Sequence, residues 1–451
     1  MSFSPIPVFG ELRKRLSNWR EDRRPETPTG PPPTESDFLR AKASLERLLL
    51  TNILPFWLPR ILDEENGGFH LNHDVRGTFR GEFPKSLVGQ ARSTWFFARL
   101  ARSPYGDRTH LDAATHGFTF LRDRMWDAEH GGFFWATDAS GRTPTHLDKH
   151  LFGQAYGLYA LSEYARAAAD PPALALAREL FLTLDGHSHD PVYGGYEEFY
   201  RRDWAPVPAS EPSYMHAFAG VKQLNTHLHW MEALTEYLRL SQDPLARDRL
   251  LELILVQSNA VVRKTTGACT DRHELDWTPI DVAHARTNYG HDLENVWLLW
   301  EACDAASLPN GPLLDLYRTL FGNARKLGFD RRSGGFFYTG SPNRRADIRV
   351  KIWWVQAEAL VCALLMYRIT GEASYYHCFS RTLDWVLTHQ ADWECGDWHA
   401  VIGEDGAPAG DKATNKNGAW KTPYHNGRAV LRCLELLEPL IESDATSDDK
   451  P

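Results

Sequence analysis

Apolar positions recur at helical spacing along most of the chain. In residues 222–236, Leu224, Leu228, Met231 and Thr235 fall on one side of a helix, whereas Asn225, His229 and Glu232, at i, i+4 and i+7, share another. Further amphipathic stretches cover residues 112–124, 173–184, 245–262, 312–327 and 374–389. Between such stretches comes a repeated interruption, a glycine pair followed by an aromatic: Gly67-Gly68-Phe69, Gly131-Gly132-Phe133, Gly194-Gly195-Tyr196 and Gly334-Gly335-Phe336. Cys395-Gly396-Asp397-Trp398 is a degenerate fifth. Each predicts a turn entering a short hairpin.

After each interruption a basic residue opens a helical segment: Lys85, Lys149, Lys222, Lys351 and Lys421, with Arg286 as the available equivalent in the remaining stretch. The steps between them are 64, 73, 64, 65 and 70 residues, and the fifth residue onward is always polar: Gln90, Gln154, His227, His291, Gln356 and Asn426. This period predicts an all-α chain of six stacked helix pairs with short hairpins in the connections. An open superhelical solenoid is the alternative to a closed ring. The aromatic-rich helix starts favour closure, because in a ring they converge on one end of a central cavity.

Composition narrows the class. The 451 residues include 54 aromatics, 16 of them Trp, and carry a formal charge of −9. No apolar run approaches the roughly 20 residues of a membrane span, and no basic stripe suits nucleic acid. Six cysteines, Cys269, Cys303, Cys362, Cys378, Cys395 and Cys433, show no metal-ligand spacing and suit reduced thiols in a cytoplasmic protein. Residues 1–35 read as a flexible Pro-rich arm, 36–442 as one domain and 443–451 as a polar tail.

Chemistry concentrates in the later units. His229 and Glu232 are three residues apart, as are His291 and Glu294. A carboxylate one turn from an imidazole holds one tautomer and raises its basicity, which a general acid/base needs. Surface His/Glu pairs, or a metal site built from His229, His291 and carboxylates, are the competing readings. Trp420-Lys-Thr-Pro-Tyr-His-Asn-Gly-Arg428 places Tyr424, His425 and Arg428 in the first turns of a helix, near Gln90 and Arg92 at the expected closure. Trp353 and Trp354, followed by Glu358, cannot both face one way on a helix: Trp353 suits packing and Trp354 the cavity. Tryptophan platforms beside Asn225, Gln356 and Asn426 suit a sugar, whose C–H faces are apolar and whose hydroxyls need polar partners.

The segments Asn225-Thr-His-Leu-His229 with Glu232, Gly290-His-Asp-Leu-Glu294, Trp353-Trp354-Val-Gln-Ala-Glu358 and Lys421-Thr-Pro-Tyr-His-Asn-Gly-Arg428 resemble those of the N-acylglucosamine 2-epimerase superfamily. The Pro-Tyr-His-Asn stretch points to its cellobiose 2-epimerase branch. The resemblance implies an (α/α)6 barrel and epimerisation at C2 of a reducing sugar, with no metal or other cofactor. It implies His291 and His425 as the acid/base pair, His229 as an aid to ring opening, and Arg92 beside the C1 and C2 oxygens. Glu294 is implied as the partner of His291, and Trp354 and Trp420 as sugar platforms, with Asn225, Trp353, Glu358 and Tyr424 as further substrate-site candidates. Monosaccharide epimerases, aldose-ketose isomerases, a glycoside hydrolase using Glu232, Glu294 or Glu358, and a noncatalytic sugar-binding toroid are the alternatives.

Overall fold

The computed structural model describes residues 30–215, 217–280, 285–410 and 415–445, with side chains to 442. The expected arm up to residue 29 and the end of the tail lie outside the described residues. The described residues form twelve helices of at least 12 residues: α1 (Glu35–Arg47), α2 (Leu87–Ala101), α3 (Arg108–Phe120), α4 (Leu151–Ala168), α5 (Pro171–Ser188), α6 (Leu224–Ser241), α7 (Pro244–Leu255), α8 (Tyr289–Ala305), α9 (Leu314–Gly328), α10 (Trp353–Thr370), α11 (Ala373–Trp385) and α12 (Tyr424–Ala445). Even-numbered helices each pack on the next and α12 packs on α2, so they form an inner ring. Odd-numbered helices pack outside, and α1, the first in the chain, covers α12, the last. The result is a closed helical toroid rather than an open solenoid. No described helix is long and apolar enough to cross a membrane.

Local sequence explains the two layers. Inner helices are buried nearly all round, as in α4 from Leu151 to Ala165. Outer helices bury one stripe, in α3 Ala113, Ala114, Gly117, Phe118 and Phe120. Asp107, Asp170 and Asp243 cap α3, α5 and α7 by accepting from backbone N–H groups, with Pro at the starts of α5 and α7. Two-residue strands leading into inner helices pair antiparallel with the neighbouring hairpin, as Lys85-Ser86 does with Ala136-Thr137. His73 pairs with Asn417 and joins the first hairpin to the last.

The glycine pairs have two causes. Both members sit at positive φ (80° and 70° for Gly67 and Gly68), and a Cβ on Gly68 would lie 2.5 Å from the Gln90 Oε1. That glutamine brackets the aromatic after the pair: Gln90 accepts from the Phe69 N–H (2.7 Å) and donates to its carbonyl (2.8 Å). Gln154 and Gln356 do the same for Phe133 and Phe336, while the His227 Nε2 accepts from the Tyr196 N–H at 3.0 Å. The basic residues pair with an aspartate in the turn: Lys85 with Asp63 (2.7 Å), Lys149 with Asp127 (3.0 Å), Lys222 with Asp190 (2.7 Å) and Lys351 with Asp330 (2.8 Å). In the last unit the task is split, Lys416 taking Asp392 and Lys421 taking Asp397.

The fourth unit departs from the expected register. Asp292, not His291, holds the bracketing position and accepts from the Cys269 N–H at 2.8 Å. Thr287 therefore replaces the lysine and Arg263 the aspartate, and Arg286 is no equivalent: it lies near the surface on Asp347. The shift frees His291 from a structural duty.

At the far end of the bore, ion pairs run in a circle over five of the six inner helices: Arg102–Glu163 (2.7 Å), Arg166–Glu236 (3.0 Å), Arg239–Glu301 (2.6 Å) and Arg432–Glu435 (2.9 Å), with Arg432–Glu301 and Arg99–Glu435 completing it. Replacing Lys351 by Ala strands the Asp330 carboxylate, and urea unfolding should show a loss of about 3 kcal/mol with the slope unchanged.

Candidate active site

Seven residues beyond each lysine, or beyond Thr287 in the fourth unit, stand Arg92, Tyr156, His229, Glu294, Glu358 and Arg428. These six converge beneath the hairpin end of the bore. Arg428, 4% exposed, is their hub: its Nη2 donates to Glu294 (2.9 Å) and Glu358 (2.8 Å), and its Nη1 donates to Glu232. The Tyr424 hydroxyl also donates to Glu232, at 2.7 Å. Arg92 donates to the Trp420 carbonyl (2.8 Å) and the Tyr156 hydroxyl (2.6 Å), and its guanidinium lies 4.3 Å from the Tyr156 ring centre.

The histidines rest on this layer. The His229 Nδ1 lies 2.8 Å from Glu232 Oε2 within α6, as the i, i+3 spacing predicts. The His425 Nδ1 lies 2.7 Å from Glu358 Oε1 on the neighbouring helix. In each case a carboxylate at Nδ1 leaves Nε2 to act as the base. The expected His291–Glu294 pair does not form: Glu294 is committed to Arg428, and Asp271 and Glu358 are the carboxylates whose charge acts on His291. Asn288 caps α8 by accepting from the Gly290 N–H (3.1 Å) and His291 N–H (3.4 Å), which fixes the helix start carrying His291.

Burial dominates the proton affinities. It lowers His229 to about 4 against the pull of Glu232, and lowers His425 well below its ordinary range with the help of Arg92 and Arg428. His291 is lowered too, by burial that Asp271 and Glu358 oppose. All three are neutral at pH 7. Burial also works against ionised Glu232, but Arg428, His229 and Tyr424 outweigh it and hold this carboxyl at about 2. Burial and neighbouring Glu358 raise Glu294 well above the carboxylate range. Glu358 receives His425, Trp297 and Arg428, whereas Glu294 receives Arg428, so the proton of this close pair belongs on Glu294.

Aromatic rings wall the site. The Trp354 ring lies 5.1 Å from the His291 ring and 5.8 Å from that of His425, so both imidazoles share one platform. Gly290 makes this approach possible, since a Cβ there would meet the Trp354 ring at 2.4 Å. Trp353 is buried, its ring 6.3 Å from that of His425. Trp420, 39% exposed, stands across from Phe152 and Trp135, and Phe152 in turn meets the edge of His229. Asn225 is half-buried beside Asp271. A cleft of about 910 Å³ opens over His291 between Asp271, Asn288, Tyr338, Phe218 and Ile348.

The structure thus brings His229, His291, His425, Arg92, Trp354 and Trp420 to one end of the bore. Tyr424, Glu294 and Glu358 are buried beneath, their polar groups engaged by protein partners, and so position other side chains. One group of metal-type donors occurs among the described residues, Glu294, Glu358 and His425, and the Arg428 guanidinium already bridges its two carboxylates. The competing reading of a metal site built from His229, His291 and carboxylates has no such donor group among the described residues. Sequence reasoning missed Tyr156, Trp297 and the hub role of Arg428. The offset of seven from each lysine holds Tyr156 and Arg428, and alignment on the offset of five concealed it.

The family model for N-acylglucosamine 2-epimerase (GlcNAc 2-epimerase) matches residues 67–429. A cellobiose 2-epimerase of Bacteroides fragilis is 29% identical over 398 residues, covering 88% of this chain and 98% of that protein. One from Eubacterium cellulosolvens is 31% identical over 421 residues, covering 87% and 97%. The solved structure of cellobiose 2-epimerase from Spirochaeta thermophila superposes with a TM-score of 0.81 at 31% identity, covering 90% of this chain and 98% of that one.

Substituting Gly290 by Ala pushes the Trp354 ring off the two imidazoles. Turnover should fall by about 100-fold while circular dichroism and the melting temperature stay near those of the parent.

Proposed function

Because this chain belongs to the N-acylglucosamine 2-epimerase family, we propose that it is a sugar 2-epimerase, interconverting reducing-end glucose and mannose in β-1,4-linked disaccharides such as cellobiose, on an (α/α)6 barrel. The observation carrying this reading is the Trp354 ring shared by His291 and His425, which presents two neutral imidazoles to one bound sugar. The space over His291 supports a substrate longer than one sugar ring. Six unpaired cysteines, five of them buried, support a cytoplasmic setting.

The sugar first opens, since only the aldehyde acidifies the C2 proton. His229 assists by exchanging protons with the ring oxygen and O1. One of His291 and His425 removes H2, giving a cis-enediolate, and Arg92 stabilises its charge by directed hydrogen bonds. Rotation about C2–C3 presents the other face to the second histidine, which takes up a solvent proton at Nε2 and returns it to C2, while the first histidine releases H2 to solvent. Trp354 and Trp420 hold the sugar by stacking. Glu232 and Glu358 keep Nδ1 of His229 and His425 engaged throughout. Return of the proton to C1 instead gives a ketose, so isomerase activity lies on the same intermediate.

Incubation with cellobiose, mannobiose, glucose, mannose and N-acetylglucosamine in D₂O, followed by NMR, should show the 2-epimer of a disaccharide with deuterium at C2; release of monosaccharides would identify a glycoside hydrolase instead. Alanine at His291 or His425 should lower turnover by about 1,000-fold or more, since each serves one face. Both histidines titrate below the ordinary value near 6.5, so their basic forms persist as pH falls. The acid limb of kcat/KM should therefore lie below about pH 6.5.

A further inference from the structure

The bracketing position beside the turn is occupied by a neutral side chain in five units, Gln90, Gln154, His227, Gln356 and Asn426, and by Asp292 in the fourth. The turn has changed with it. Ala268 stands where other turns carry a glycine at positive φ whose added Cβ would lie 2.5 Å (Gly68) or 2.7 Å (Gly335) from the bracketing glutamine, and Ala268 itself is not at positive φ. Asp292 Oδ1 accepts from the Cys269 N–H, as each glutamine oxygen does from its aromatic residue. Asp292 Oδ2 is buried without a hydrogen-bond partner. As a carboxylate it would hold its charge in the core with the Cys269 thiol, a weak donor, as the side chain that meets it from the turn; as a carboxylic acid it is uncharged and carries a donor, as the glutamine amide does.

We propose that Asp292 is a positioning residue for His291, acting as an undissociated carboxylic acid that clamps the Cys269 turn to the start of α8. The clamp has two outputs. The next residue back is His291, and the turn continues through Thr270, Asp271 and Arg272 into the wall of the cleft over His291. Ionisation of Asp292 would place an unbalanced charge between the two and loosen both. The groups facing it are the Cys269 thiol from the turn and, on its own helix, Tyr289 and the amide of Asn295, whose Nδ2 donates to the Gln257 carbonyl and lies 3.5 Å from the Cys269 sulfur. None of these is a cation. Burial accordingly raises the Asp292 carboxyl to about 7.

The sign of the stability effect follows. A carboxyl whose folded value is raised stabilises the fold fully below its unfolded value near 4, and that contribution is lost as pH rises through about 7. Asp292→Asn keeps an acceptor and a donor without the charge. It should melt higher than the parent at about pH 8, with the gap closing towards about pH 4. The imidazole nitrogen shifts of His291, followed by NMR, should change near pH 7 in the parent and stay flat there in Asp292→Asn. Neither measurement needs a substrate, so both stand or fall apart from the epimerase reading on which the role for His291 rests. With a turned-over sugar, Asp292→Asn should keep kcat within about threefold of the parent at pH 7, and Asp292→Ala should lower kcat about tenfold or more with little change in KM. A melting gap that is absent or independent of pH, or His291 shifts identical in parent and Asp292→Asn, would overturn the proposal, as would parental kcat in Asp292→Ala.

Discussion

One guanidinium organises the centre of this toroid. Arg428 rises from α12 and holds carboxylates from α6, α8 and α10, so four of the six inner helices meet at one buried cation. An arginine keeps its charge at any accessible pH and offers donors in a planar fork, which lets it serve three carboxyl groups where a lysine would act only as a point charge. Removal of the cation would leave uncompensated charge in a closed core, a state that costs several kcal/mol. The histidines inherit their orientation from this arrangement: Glu232 carries His229, and Glu358 carries His425. The geometry of the histidines proposed as catalytic is thus set from below, by the carboxyl groups beneath them.

The layers above and below differ in physical character. The hairpin end is aromatic and open, with Trp354 and Trp420 half-exposed, while the far end is closed by alternating arginine and glutamate. Neutral imidazoles face the open hairpin end from a floor of buried, paired charges. Burial is the main reason all three histidines are lowered although carboxylates stand beside them: at His229 and His425 the cations Arg92 and Arg428 add to it, and at His291 burial outweighs Asp271 and Glu358.

Periodicity made the architecture legible. Six units could be counted from glycine pairs and lysines, because a turn that needs positive φ and a buried cation that needs a carboxylate leave few residue choices. The second amphipathic stretches of the units, over 112–124, 173–184, 245–262, 312–327 and 374–389, correspond to α3, α5, α7, α9 and α11, with the largest difference at α7, which ends at Leu255. The sixth outer helix was harder to see, because α1 lies at the opposite end of the sequence from its partner α12. His229 with Glu232 was legible because both lie on one helix. His425 with Glu358 was not, since nothing along the chain reveals which neighbouring helix supplies a carboxylate. The fourth unit misled because Arg286 and His291 imitate the period by one residue, whereas the true register is kept by Thr287 and Asp292, which have exchanged the lysine and glutamine for a different chemistry.

The pairing of α1 with α12 makes closure of the toroid depend on two segments far apart in the chain. Phe38, Ala41 and Leu45 are buried in the finished fold against late parts of the chain: Phe38 meets Tyr367 of α10 and Tyr376 of α11, and α1 packs on α12. Until those helices are made, the apolar face of α1 stays uncovered, and the ring closes only through a contact between distant parts of the sequence. Such long-range closure slows folding and prolongs the exposure of sticky surface. The ring turns an end-to-end meeting of the chain into the condition for a working interior.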